Sequence, residues 1–284
     1  MGVLYVVATP IGNMGDISPR ALDVLGQVSL IAAEDTRVTG LMLSRFNIRK
    51  PMISYHKFSE KDKSENIVER LKEDDFEVAI VTDAGTPCIS DPGSVLVDIA
   101  HREGIPVVGI PGASAVTLAL SVSGFDTTTF AFYGFYPRAK GEQEEFLERI
   151  FTDTAKCAVF YESPKRIKKT LKTLFDSGIE GRVCVCNDLT KKFERIYRGD
   201  ISQVLDEIEN NDKSELGEYA VVIEKADREK ETTQLNASVS LEARVFDLYI
   251  SGMSVKDAVS KLTKEGVSRN DAYTAGLNVK KYLQ

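Results

Sequence analysis

Residues 77–93, EVAIVTDAGTPCISDPG, concentrate the chemistry of this chain. An apolar run, Val78 to Val81, feeds a loop with two prolines and two glycines that ends at Asp91-Pro92. Glycine lets main-chain N–H and C=O groups approach a ligand closely, and proline lowers the cost of ordering the loop on binding. The spacing therefore suits ligand capture by backbone atoms at the carboxyl end of a strand, where open α/β sheets bind their ligands. Nucleophile and metal chemistry have little to work with. Only His56 and His101 are available, and Cys88, Cys157, Cys184 and Cys186 show no C-x-x-C spacing. A histidine triad or a metal site is not expected; Cys184 and Cys186 share one face of an expected strand and read as core residues.

The same grammar occurs twice more. Leu4 to Ala8 runs into Thr9-Pro10-Ile11-Gly12-Asn13 and then Ser18-Pro19, and Ala158 to Glu162 runs into Ser163-Pro164-Lys165-Arg166. Asp91-Pro92, Ser18-Pro19 and Ser163-Pro164 each predict a helix N-cap followed by proline at the first helical position. The first two loops exceed the ~2–6 residues that strand–helix connections usually need, which points to ligand binding. Glu34 and Asp35, in the run AEDTR, place adjacent carboxylates where a strand meets a helix. They suit either orientation of a bound group and of Arg37, or capping of the helix against its positive dipole end.

Positioning these residues requires an alternating architecture. Strand-like runs at 3–8, 29–33, 77–82 and 106–110 alternate with amphipathic helices near 19–27, 36–46, 64–74 and 92–103, predicting a parallel or mixed sheet covered by helices. Pro111 to Ala115 breaks the pattern and marks a hinge. A second unit follows, with strands near 129–134, 156–161, 182–188, 193–198 and 218–224 and helices near 140–152, 164–177 and 201–210. The chain divides into an α/β domain at 1–112, a second at 113–225, a polar linker at 226–238 and a helical tail at 239–284. Ser254 and Ser268 are expected N-caps there, and the tail reads either as a helix-turn-helix or as a packing cap.

The 284 residues are 43% hydrophobic and 28% charged, ordinary for a soluble globular protein. No apolar stretch approaches the ~20 residues of a membrane span, and the first strand lacks a basic leader, so neither a span nor a signal peptide is expected. Cysteine usage predicts a reduced, cytoplasmic location. The net charge of −7 disfavours indiscriminate binding to nucleic acid, DNA included. The tail from residue 237 carries seven Lys/Arg and five Asp/Glu, net +2, leaving −9 for the rest.

The stretches LYVVATPIGN (4–13), AAEDTR (32–37), TDAGTPCISDPG (82–93), IPGASA (110–115) and FYES (160–163) resemble the bacterial 16S ribosomal RNA cytidine 2′-O-ribose methyltransferases, within the tetrapyrrole methylase superfamily. The resemblance covers essentially the whole chain. It implies two α/β domains with S-adenosylmethionine in the cleft between them, a small C-terminal helical domain, a homodimer, and a substrate in the decoding centre of the small ribosomal subunit. By motif, Thr9 and Pro10 line the cleft floor, and Asp83, Gly85, Thr86 and Ile89 form the donor loop. Ser114 and Ala115 add the hinge contact, and Tyr161 and Leu189 the contacts from the second domain. Two positions depart from the family pattern: Asn187-Asp188 replaces Arg-Glu ahead of Leu189-Thr190-Lys191, and Leu216 replaces a basic residue ahead of Gly217.

For ribose methylation, Glu34 and Asp35 are the candidates to orient the hydroxyl, and Lys191 to stabilise a phosphate or the developing alkoxide. Arg37, Arg45, Arg138, Lys140, Lys165, Arg166 and Arg195 are the candidate RNA contacts, with Lys165-Arg166 expected at a helix start that favours phosphate. Two alternatives share these features: a methyltransferase of tetrapyrrole or corrin precursors, and a helix-turn-helix regulator whose body senses a ligand.

Overall fold

The computed structural model describes residues 2–57, 60–179, 181–226 and 240–283. Two compact units are present, Met1–Ala226 and Asp227–Gln284. Among the described residues no helix is long and apolar enough to cross a membrane.

The first five strands form one sheet. β1 (Leu4–Val7), β2 (Leu30–Ala33), β3 (Met52–Ser54), β4 (Val78–Val81) and β5 (Val107–Ile110) lie in the order β3-β2-β4-β1-β5, all parallel. Alternate residues feed a core on each face. Leu4, Leu30, Ala32, Val78 and Ile80 enter one; Val7, Ile31, Ala33, Ala79 and Val81 enter the other. A sheet buried on both faces needs continuous apolar runs rather than alternation, and these strands supply them.

The crossover helices are α1 (Pro19–Gln27), α2 (Thr36–Arg45), α3 (Glu60–Leu71) and α4 (Ser94–Arg102). Ser18 caps α1 as expected, its Oγ accepting from the Ala21 N–H at 3.1 Å with Pro19 in the first turn. Leu25 of α1 is fully buried, worth ~1.5–3 kcal/mol. Two expectations need correcting. Asp91 is not the cap of α4, which starts at Ser94 with Gly93 in the cap position at φ 135°. The Gly93 N–H instead donates to Glu60 Oε1 at 2.7 Å, which frees Asp91 to face elsewhere. Strand β3 was also unexpected: three half-buried residues are too few for a period to show.

α5 (Ala115–Ser123) leads to the second sheet. β6 (Phe130–Phe135), β7 (Cys157–Glu162), β8 (Gly181–Asn187), β9 (Arg195–Asp200) and β10 (Tyr219–Lys225) lie in the order β6-β7-β10-β8-β9. Only β6 and β7 pair in parallel; the other pairings are antiparallel. α6 (Lys140–Thr152), α7 (Ile167–Asp176) and α8 (Ile201–Glu209) share a core with Phe160, Val183 and Val221. Ser163 does not cap α7. That helix starts at Ile167, and the Ser163 carbonyl accepts from the amides of Arg166 and Ile167 through an intervening turn. On the opposite face, α5 packs Val116 and Leu120 against Val159, Cys184, Cys186 and Val222. Ile11, from the loop after β1, joins this second-sheet cluster, so the first Pro/Gly turn is anchored on the second sheet.

The second unit contains α9 (Leu241–Ile250), α10 (Val255–Lys264) and α11 (Arg269–Tyr282). Ser240, Ser254 and Ser268 cap them, each hydroxyl accepting from an amide three residues on. Val245, Ala258, Leu262, Ala272 and Val279 form its core. The expected linker at 226–238 lies, from residue 227 on, outside the described residues.

Candidate active site

The Pro/Gly turns meet at the carboxyl edge of the first sheet. Thr9 and Gly85 form an antiparallel bridge, and the Thr9 hydroxyl donates to the Thr82 carbonyl at 3.1 Å. Thr86 Oγ1 donates to the Ala113 carbonyl at 3.2 Å, tying the loop after β4 to the one after β5. From the second sheet, Thr190 Oγ1 accepts from the Asn13 N–H at 3.0 Å. A Cβ on Gly12 would lie 2.5 Å from Lys191 Cγ and 2.8 Å from Thr190 Oγ1, so only glycine allows this approach.

These loops enclose a cavity of about 410 Å³, the size of a small-molecule site. Its lining comes from both sheets: Ile11, the 82–91 loop, Ser114 and Ala115 on one side, and Phe135, Tyr161, Cys186, Leu189 and Glu218 among those on the other. Tyr161 is wedged edge-on between Phe132 and Phe135, with centroids at 5.0 and 5.3 Å. Gly85 sits at φ 85°, and Cys88, Ser90, Asp188 and Thr190 adopt left-handed backbone at φ 52–69° without being glycine. Such residues cost ~1–3 kcal/mol each and persist where surrounding structure over-determines them. All four lie in the two loops that wall the cavity.

Three carboxylates line the first-sheet side: Glu34, Asp83 and Asp91. Thr82 Oγ1 donates to Glu34 Oε2 at 2.7 Å, and the Asp83 N–H reaches the same oxygen at 3.3 Å. Burial, followed by the charge of Glu34, raises the Asp91 pKa to about 6. Asp83 is raised for the same two leading reasons. Burial pushes the Tyr161 phenol up to about 12, so it stays protonated. A cavity floored by backbone and edged with acids suits a ligand that carries positive charge.

Asp83, Gly85, Thr86, Ile89, Ser114, Ala115, Tyr161, Leu189 and Glu34 all line this cavity. Thr9 lies beneath it, 1% exposed, as a strut rather than a wall. Pro10 lines a neighbouring smaller cavity. Asp35 points away: its carboxylate caps α2 through the Arg37 N–H at 2.8 Å and pairs with the Arg37 guanidinium. Those hydrogen bonds hold its pKa down to about 2. Lys191 stands outside the lining, bridging Asp188 and Glu218 at 2.9 Å each. Burial opposes its charge, but the two hydrogen bonds outweigh burial and raise its pKa above the ordinary lysine value.

Among the expected RNA contacts, Arg45, Arg138, Lys140, Lys165 and Arg195 are exposed, and Arg37 is exposed but paired with Asp35. Arg166 is turned inward. It donates to the carbonyls of Tyr136 and Pro137 and pairs at 3.3 Å with Glu162, whose side chain is 1% exposed. Sequence reasoning missed Asp91, Glu162, Glu218 and Phe135 as cavity residues. The Asp-Pro-Gly string disguised Asp91 as a helix cap; Glu162, a carboxylate ending a buried strand, carried a readable signal.

The Tetrapyrrole (Corrin/Porphyrin) Methylases family matches residues 3–205. The chain belongs to the tetrapyrrole methylase family. Its curated relatives include "Ribosomal RNA small subunit methyltransferase I" of Bacillus subtilis (strain 168), 36% identical over 278 residues, 97% of this chain and 94% of the relative. The protein of the same name from Vibrio cholerae is 41% identical over 223 residues, 78% of this chain and 76% of the relative. Solved structures share the fold at low identity. Diphthine synthase superposes with TM-score 0.59 at 15% identity, covering 79% of this chain and 90% of its own. Uroporphyrin-III-C-methyltransferase from Thermus thermophilus gives 0.54 at 16%, covering 79% and 95%. In this tetrapyrrole methylase the two sheets and the cavity fall largely within the matched residues, and the three-helix unit lies beyond them.

Proposed function

We propose that the chain methylates the ribose 2′-oxygen of a cytidine in the decoding centre of small-subunit (16S) ribosomal RNA, with S-adenosylmethionine as methyl donor. The observation that carries this reading is the match to relatives named for ribosomal RNA small-subunit methylation across as much as 97% of the chain. The solved structures named for uroporphyrin-III or precorrin methylation are 15–17% identical and support the fold alone.

The cavity fits the donor. Its volume suits a nucleoside with an amino-acid arm, its backbone floor can meet the polar edges, and Glu34, Asp83 and Asp91 complement a sulfonium and an ammonium. When bound, the donor supplies a methyl group that passes to an in-line oxygen as the sulfur retains the bonding pair. The residues here contribute positioning, worth as much as ~7–11 kcal/mol in favourable cases. Asp83 receives the hydroxyl proton: burial and Glu34 raise its affinity for one, and its Oδ1 is held by the Asp35 N–H at 3.1 Å. Lys191, occupied by Asp188 and Glu218, fixes the second-sheet loop rather than meeting phosphate.

Label from methyl-labelled donor should enter 2′-O-methylcytidine in assembled small subunits and enter naked transcript poorly, as suits a body of net charge −9. Label on a base atom, or only on a tetrapyrrole, refutes the proposal.

A further inference from the structure

A second, smaller cavity of about 100 Å³ adjoins the first and shares Thr82 and Asp83 with it. Its walls are mostly apolar: Met14, Val38, Leu41 and Met42. Val38 and Leu41 are 44% and 65% exposed, leaving apolar area uncovered at the rim. Thr39 also lines it, is 2% exposed, and its hydroxyl has no hydrogen-bond partner. A helical threonine commonly satisfies its hydroxyl on the carbonyl four residues back. In α2 the Asp35 carbonyl instead accepts only the Thr39 amide, at 3.0 Å. An orphaned buried hydroxyl is costly and asks for an explanation. Arg45 adds a cation to the same wall.

We infer that this cavity receives the pyrimidine base attached to the methylated ribose, stacked between apolar side chains and read at its edge by the Thr39 hydroxyl. The inference rests on the proposed ribose methylation and deepens it. Three features converge. A quarter of the donor cavity's volume suits one six-membered ring rather than a purine nucleoside. A base held here, with the donor next door, places the connecting ribose over the shared Asp83. Splayed single-stranded bases, packed on apolar faces and hydrogen-bonded at the edge, are the usual targets of sequence-specific RNA recognition. The Thr39 hydroxyl both donates and accepts, so it can meet a ring acceptor or an exocyclic amine.

The test is Thr39→Val, which keeps the side-chain shape and removes the hydroxyl, assayed on small subunits carrying cytidine or uridine at the target position. Wild type should prefer cytidine, and the variant should lose about tenfold of that preference. Its donor affinity should match wild type, and its melting temperature should be equal or higher because the orphan is gone. An unchanged cytidine-to-uridine ratio overturns the inference, as does an equal loss on both substrates, which a purely structural threonine would give. Absence of label from wild-type reactions would instead sink the methylation reading.

Discussion

Thr9 and Gly85, 76 residues apart, exchange two backbone hydrogen bonds: the Thr9 amide donates to the Gly85 carbonyl at 2.9 Å, and the Gly85 amide returns the bond to Thr9 at 3.1 Å. The bridge welds the loop after β1 to the loop after β4, on neighbouring parallel strands. It makes one rigid floor from two stretches each built of proline and glycine. Ile11 then pins that floor to the second sheet.

Replacing Asp83 by Asn removes the proposed proton acceptor while keeping its shape. We expect single-turnover methyl transfer to fall about 100-fold, with the melting temperature close to wild type. Transfer within threefold of wild type would move the proton elsewhere.

Asp91 predicts a specific pH dependence. Its pKa is about 6 in the native state against an ordinary value of 3.8. Between those values the native chain keeps a proton that the unfolded chain has lost, so stability falls as pH rises through the window, and the deficit is complete above pH ~6. Discounted for partial exposure, it amounts to about 1 kcal/mol. Asp91→Asn should flatten that slope in denaturant titrations. A cationic donor favours the ionised form, so wild-type donor affinity should rise through the same window and the variant's should not. Parallel pH curves for the two proteins would count against the assignment.

Arg166→Ala tests a residue whose sequence position suggested RNA. The side chain instead neutralises buried Glu162 and caps two carbonyls. Removing it should cost roughly 3 kcal/mol of stability, because the carboxylate left behind stays buried. Methylation per folded molecule should change less than twofold. A stable variant with weakened subunit binding would restore the RNA role.

The sequence announced the fold through its apolar runs and the site through its loops. β1, β2 and β4 are buried on both faces, so their hydrophobicity is continuous and their ends are sharp. The three-residue β3 has no such run. Loop chemistry was legible as composition but not as direction. Glu34 and Asp35 are neighbours, yet one faces the cavity and the other the helix it caps. Asp91 looked like a cap because Asp-Pro usually is one; Glu60, reached only in three dimensions, took the Gly93 amide instead. Arg166 and Lys191 looked like free cations because nothing in the sequence shows that Glu162, Asp188 and Glu218 turn toward them.

Calorimetric titration of S-adenosylmethionine into wild type and Gly85→Val tests the central claim most directly. Gly85 holds φ 85°, and a Cβ there would lie 3.3 Å from Ile11 Cγ2, so a branched side chain must either strain the floor or fill it. Saturable donor binding by wild type, weakened at least tenfold in a folded variant, is the predicted result. Equal affinity in the two proteins would show that the donor sits somewhere other than the crevice over the Thr9–Gly85 bridge.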